Sequence, residues 1–156
     1  MKQKTLSRWL IVIIAITAVC IATVYALVPQ WITYFTKEVK DSDASIWTVV
    51  IYITAIPVFI ALYQGVRIAM NIGHDESFTK NTARRLGSVS YLAVADGLFF
   101  FIASLIFRFA ASGTNFAVAV GIVVFVICIF VAVIFAALSH WIYKAAELKE
   151  EADLTI

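Results

Sequence analysis

Reactive side chains are scarce in this chain of 156 residues. It has two cysteines, Cys20 and Cys128, and two histidines, His74 and His140. The cysteines form no CxxC pair and have no flanking base, which speaks against thiol redox chemistry. A disulfide between them would require their two helices to touch. The histidines stand in different regions, and no grouping of Cys, His, Asp or Glu has the spacing of metal ligands. The chain also lacks a glycine-rich phosphate loop and a nucleophile elbow. An enzyme reading therefore has no residue to rest on, and we expect a non-enzymatic protein without cofactor or metal. Charge is scarce too, at 14% of residues against about a quarter in soluble proteins. That excludes a water-soluble globule.

Apolar sequence takes up the space. Hydrophobic residues make up 63% of the chain, and the mean hydropathy is +0.96. Four stretches, residues 10–28, 46–69, 89–109 and 116–140, are each long enough as helices to cross a hydrocarbon core of about 30 Å at 1.5 Å per residue. Only a helix or a closed barrel satisfies its backbone there. The expected fold is an all-α integral membrane four-helix bundle forming one domain, with residues 141–156 as a helical extension and tail. Lys2, Lys4 and Arg8 precede the first stretch as in a signal peptide. It is long and has no clear cleavage site, so it reads as a retained helix.

The basic residues set the orientation. Lys2, Lys4 and Arg8 precede the first span, Lys80, Arg84 and Arg85 lie in the second connector, and Lys144 and Lys149 lie in the tail. The other connectors have Lys37 and Lys40, with Arg108 at a span end. The positive-inside bias then puts both termini and the middle connector in the cytoplasm. Trp9 and Trp141 fall at the proposed inner boundary and Trp31 and Trp47 at the outer one, as the headgroup preference of tryptophan requires. Small residues recur four apart: Ala18, Ala22 and Ala26; Ala61, Gly65 and Ala69; Ala93 and Gly97; Ala117 and Gly121; Ala132 and Ala136. Such faces allow close helix approach, within one bundle or in a homo-oligomer. The outer connectors, around Pro29 to Ser45 and Ser112 to Asn115, read as an amphipathic linker and a tight hairpin.

Polar residues inside the spans are costly and mark structure or function. Asp96 is the deepest charge, about 10 Å from the inner boundary at 1.5 Å per residue. Gln64 and Arg67 on the second span lie at similar or shallower depth, and we expect one of them to contact Asp96. With no second buried acid to take a proton onward, a structural clamp is favoured over a proton relay. Pro57 removes the hydrogen bond to the Ile53 carbonyl, so a kink is expected there, with Thr54 available to the freed carbonyls.

The inner connector is richer. Thr79 or Ser77 is a suitable helix N-cap, and Asp75 and Glu76 complement the helix dipole. Beyond them Ala83, Leu86 and Ser90 share one face while Lys80 and Arg84 occupy another. This reads as a short amphipathic helix between spans 2 and 3, lying at the anionic inner leaflet and continuing into the membrane.

The run Asp75, Glu76, Ser77, Phe78 and Thr79 with Arg84, Arg85 and Leu86 after it, and the tail Leu148 to Ile156, resemble the two characteristic stretches of a bacterial family of small four-span membrane proteins, domain of unknown function 2975. Ala152 stands where that family often has Asn. The resemblance covers nearly the whole chain and implies a bacterial cytoplasmic-membrane protein, often encoded beside a small helix-turn-helix DNA-binding protein of the Cro type. It implies no activity and no catalytic residue.

Two inward-facing functions follow. In the first, Glu76, Phe78, Thr79, Arg84 and Arg85 form one face with an extended, β-prone segment Asp153, Leu154, Thr155 and Ile156, and that face docks a partner such as the helix-turn-helix protein. Alternatively the tail packs on its own connector, with Glu150 or Glu151 facing Arg84 or Arg85. The competing class is a small transporter or immunity-type protein acting on a compound in the bilayer, for which the outer half offers few polar groups. Direct nucleic-acid binding is not expected, since three basic residues held at the bilayer more simply meet lipid phosphate.

Overall fold

The computed structural model describes residues 3–35, 41–73, 79–110 and 115–154. They form four helices: α1 Gln3–Phe35, α2 Asp41–Gly73, α3 Lys80–Ala110 and α4 Asn115–Leu154. Each contains a stretch long and apolar enough to cross a membrane. All four are longer than a single crossing requires. At 1.5 Å per residue the 33 residues of α1 reach about 50 Å and the 40 residues of α4 about 60 Å, well beyond a hydrocarbon core of about 30 Å. The N-cap expected at Thr79 is present: its Oγ1 accepts the backbone N–H of Thr82 at 3.2 Å, and its carbonyl accepts that of Ala83 at 3.1 Å. The amphipathic segment is not a separate helix. It forms the first turns of α3, with Ala83 and Leu86 buried and Lys80 and Arg84 exposed.

Consecutive helices are antiparallel neighbours. α1 packs on α2, α2 on α3 and α3 most extensively on α4, whereas among the described residues no Cα of α1 comes within 8 Å of one in α3 or α4. The row is therefore not closed into a ring by an α1–α4 contact. Cys20 and Cys128 are both free thiols on these two separated helices.

The α3–α4 seam is set by side-chain size. A Cβ placed on Gly97 would lie 2.6 Å from Cβ of Cys128, and one on Gly121 would lie 2.6 Å from Oγ of Ser104. Serine hydroxyls bond across this seam to backbone carbonyls: Ser90 to Ala132 at 2.8 Å and Ser139 to Ala83 at 2.7 Å. Phe101 and Phe125 stack with centroids 5.4 Å apart. Ser7 makes the same kind of bond from α1 to the Ala69 carbonyl of α2 at 2.7 Å.

At the other end Trp47 of α2 stacks on Phe107 of α3, centroids 4.9 Å apart. Midway along α2, the Thr54 hydroxyl donates to the Ile51 carbonyl at 2.7 Å and lies 3.1 Å from the Tyr25 hydroxyl of α1. A hydroxyl has one proton to give, so Tyr25 is the donor to Thr54. The expected role of Thr54 beside Pro57 is corrected: its bond goes to Ile51 and not to Ile53.

The small-residue stripes separate into two kinds. Ala69, Gly97, Gly121 and Ala132 are buried at helix contacts, while Ala22, Ala26 and Ala136 face outward. So do large apolar side chains such as Ile13, Val19, Ile56 and Phe130, an apolar surface that a monomeric soluble protein would not carry.

Replacing Gly97 by Ala should lower stability by about 1–3 kcal/mol, the usual cost of overpacking. The additional change Cys128→Gly should relieve the overlap, so thermal unfolding in detergent is expected to show strong non-additivity for this pair.

Candidate functional site

The intramembrane polar residues are partnered differently from the sequence expectation. Gln64 Oε1 accepts a hydrogen bond from Nη1 of Arg85 at 2.8 Å, joining α2 to α3. Arg67 is exposed, and its guanidinium carbon lies 5.7 Å from the ring centroid of Tyr63, one turn back on the same helix. Asp96 contacts neither. Its Oδ1 is buried without a hydrogen-bond partner, as is Nε of Arg85. The expected Arg67 or Gln64 contact to Asp96 is therefore corrected to an Arg85–Gln64 pair. Helix rotation is the reason. At 100° per residue Arg85 and Asp96, eleven residues apart, fall within about 20° of one another on α3, so Arg85 takes the inward face and reaches Gln64 first.

Asp96 lies on the wall of a cavity of about 540 Å³ to which all four helices contribute, among them Ile14 of α1, Gly65 of α2, Leu92 of α3 and Val131 of α4. Its lining is otherwise free of charged residues and almost wholly apolar. One charged group in an apolar concavity of this size is the usual composition of a small-molecule site.

A second group of polar contacts surrounds the start of α3, which bonds to α4 through Lys80 and to α2 through Thr82. Nζ of Lys80 pairs with Oε2 of Glu150 at 2.6 Å, with both side chains about half exposed. Nδ2 of Asn71 donates to the Thr82 hydroxyl at 3.3 Å, and Thr82 is buried. The tail thus folds back on the start of α3, as one of the two expected arrangements has it, but through Lys80. Arg84 is exposed, and Arg85 turns inward. The expected extended tail is also corrected: α4 stays helical through Asp153 and Leu154. Continuing the last span as a helix keeps each backbone group paired, whereas a strand there would need a partner edge. Glu76, Phe78, Thr155 and Ile156 lie outside the described residues, as do the side chains of Asp153 and Leu154. Thr79 is part-buried and is committed to capping α3.

Sequence reasoning missed Arg85 as an interior group and the serine bonds of Ser7, Ser90 and Ser139. For Arg85 the signal was available, since it shares a helical face with Leu92 and Asp96. The serines had none, because a hydroxyl in a membrane helix bonds equally well to its own helix, as Thr17 and Thr23 do.

Four membrane-length helices, apolar on the outside and holding a few polar groups within, define an integral membrane protein of the multi-span helical class. Residues 8–156 match the family model described as protein of unknown function (DUF2975), and the chain belongs to that family. It is similar to the uncharacterized membrane protein YoaS of Bacillus subtilis (strain 168), with 29% identity over 148 residues, 92% of this chain and 89% of that protein. No solved structure matches the chain.

Gln64→Leu leaves the part-buried guanidinium of Arg85 without its acceptor and should cost about 1–2 kcal/mol, the upper range for interhelical hydrogen bonds in membranes. Adding Arg85→Leu should recover part of that loss. Asp96→Asn, which removes no protein contact at Oδ1, should leave the melting temperature unchanged or raise it.

Proposed function

We propose that this protein resides in the bacterial cytoplasmic membrane with both ends inside and that its cytoplasmic face docks a soluble regulatory partner, a small helix-turn-helix protein being the kind the family resemblance implies. Contacts between consecutive helices support a common end for both termini. Ser7 meets Ala69, Arg85 meets Gln64, and Lys80 meets Glu150, so the start of α1, the end of α2, the start of α3 and the end of α4 lie together. Arg8, Lys80, Arg84, Lys144 and Lys149 share that end and Arg108 lies at the other, the distribution that favours a cytoplasmic position. The observation that carries docking is the last part of α4. Its charged residues Lys144, Glu147, Lys149, Glu150 and Glu151 follow the uncharged run that ends at Tyr143, it is pinned at Glu150, and it presents Leu148 67% exposed among Lys144, Glu147 and Lys149. An apolar residue framed by charge on a fixed helix is a suitable anchor for a partner surface.

Co-purification from membranes tests this reading, with the helix-turn-helix protein of a neighbouring gene as bait. The intact chain should retain it. Truncation after Lys149, or Leu148→Glu, should reduce retention at least fivefold, and Arg84→Glu should weaken it further at low salt. Equal retention by intact and altered chains would exclude the tail. A reporter fused after the last residue and active only outside the cytoplasm should stay silent.

A second reading, action on a compound dissolved in the bilayer, is favoured by the cavity at Asp96.

A further inference from the structure

We infer that the cavity between the helices is a binding site for a lipophilic organic monocation, with the Asp96 carboxylate as its counter-charge. The inference rests on the second reading above and is independent of partner docking. Three observations lead to it. The cavity has room for a small organic molecule, and its walls, such as Ile14, Leu92, Val131 and Phe135, present carbon to whatever enters. Its charged lining group, Asp96, has an oxygen removed from solvent with no hydrogen-bond donor beside it. A carboxylate in an apolar medium requires a counter-charge or a donor, and Arg85 and Arg67 have other neighbours: Arg85 bonds to Gln64, and Arg67 lies over the ring of Tyr63.

The placement of Asp96 along the cavity separates this ligand from a lipid chain. The lining on α3 runs from Leu86 to Asp96, ten residues or about 15 Å. Leu86 is near the end that holds Arg84 and Lys80, while Asp96 adjoins Gly97, where the α3–α4 seam is closed against Cys128. The polar group is thus at the deep end and the apolar walls lie between it and the surface. A phospholipid entering from the side would keep its headgroup at that surface, bring only acyl chain to the depth of the carboxylate and leave it without a partner. A compact molecule with a delocalised or protonated positive charge and an apolar body satisfies both ends of the site. Its route is lateral, since α1 does not approach α4 within 8 Å between Cα atoms and the bilayer itself would supply such a compound.

The test uses the full chain in lipid nanodiscs and three probes of similar shape: tetraphenylphosphonium, neutral triphenylphosphine oxide and anionic tetraphenylborate. Equilibrium binding is measured against empty nanodiscs. The cation should bind at least tenfold more tightly than the neutral probe, and the anion should not bind above background. Asp96→Asn should bring the cation down to the affinity of the neutral probe, and Asp96→Glu should restore most of the difference. Ala93→Phe, which fills the cavity and keeps the carboxylate, should abolish binding of both. Circular dichroism and monodispersity of each variant identify any loss due to misfolding, and Asp96→Glu supplies the same answer from a charge-retaining chain. If cation and neutral probe bind alike and Asp96→Asn changes neither, the ligand class is wrong while a bilayer compound as ligand survives. If no probe binds above empty nanodiscs, both fall.

Discussion

The close approach of α3 and α4 at Gly97 and Gly121 is the contact on which the rest of the arrangement depends. Lipid offers a helix no hydrophobic reward for leaving it, so association must come from backbone proximity and interhelical hydrogen bonds. Both conditions are met along this one seam, where Gly97 admits Cys128 and Gly121 admits Ser104, and where Ser90 and Ser139 reach carbonyls of the opposite helix. The pair then forms a fixed wall against which α2 is held by Arg85–Gln64, Asn71–Thr82 and the Trp47–Phe107 stack. Among the described residues, α1 comes within 8 Å between Cα atoms of α2 but of neither α3 nor α4. A firmly packed pair and a peripheral helix leave space between them, and that space is the cavity.

Polar groups divide along the same line. Those bonded to another helix lie where helices meet and hold the bundle together, and an interior polar group that is fully bonded serves specificity of packing. Asp96 departs from that pattern. It is on the inward face of α3, one residue from the tightest point of the seam, and yet Oδ1 has no donor. An unpaired acid in a membrane interior is expensive to keep, and a binding role accounts for that expense where a clamp does not. The Lys80–Glu150 pair at the protein's end is different in kind. Both groups are half exposed, so solvent screens the attraction, and its value is positional, in fixing the direction in which α4 leaves the bilayer.

The helices and their order were legible in the sequence because lipid imposes a single requirement, apolarity over about 20 residues. Their ends were not. The helical extension through Glu151 was expected, but at Asp153 and Leu154, where the residue types favour an extended segment, the chain keeps the helix. Gly97 and Gly121 were legible as contact positions, but Ala22 and Ala26 carry the same small-residue signature and face outward, since alanine is tolerated against lipid as well as against a helix. Asp96 could be singled out from its depth. Its missing partner could not, because choosing between Arg67 and Arg85 requires the rotation of two helices, and rotation is decided by packing at Gly97 rather than by anything near the arginines.

A lateral route for a bilayer compound requires the cavity beside Asp96 to be open to the bilayer and closed to water. Electron paramagnetic resonance on a nitroxide attached at Ala93→Cys, in a chain carrying Cys20→Ser and Cys128→Ala and reconstituted in lipid, measures both properties. The label should be readily relaxed by oxygen, which concentrates in hydrocarbon, and insensitive to a water-soluble nickel chelate. A label reached by neither reagent would mean that the helices close over the position, and one reached by the chelate would mean a water-filled channel. Either result would rule out a cavity supplied from the bilayer.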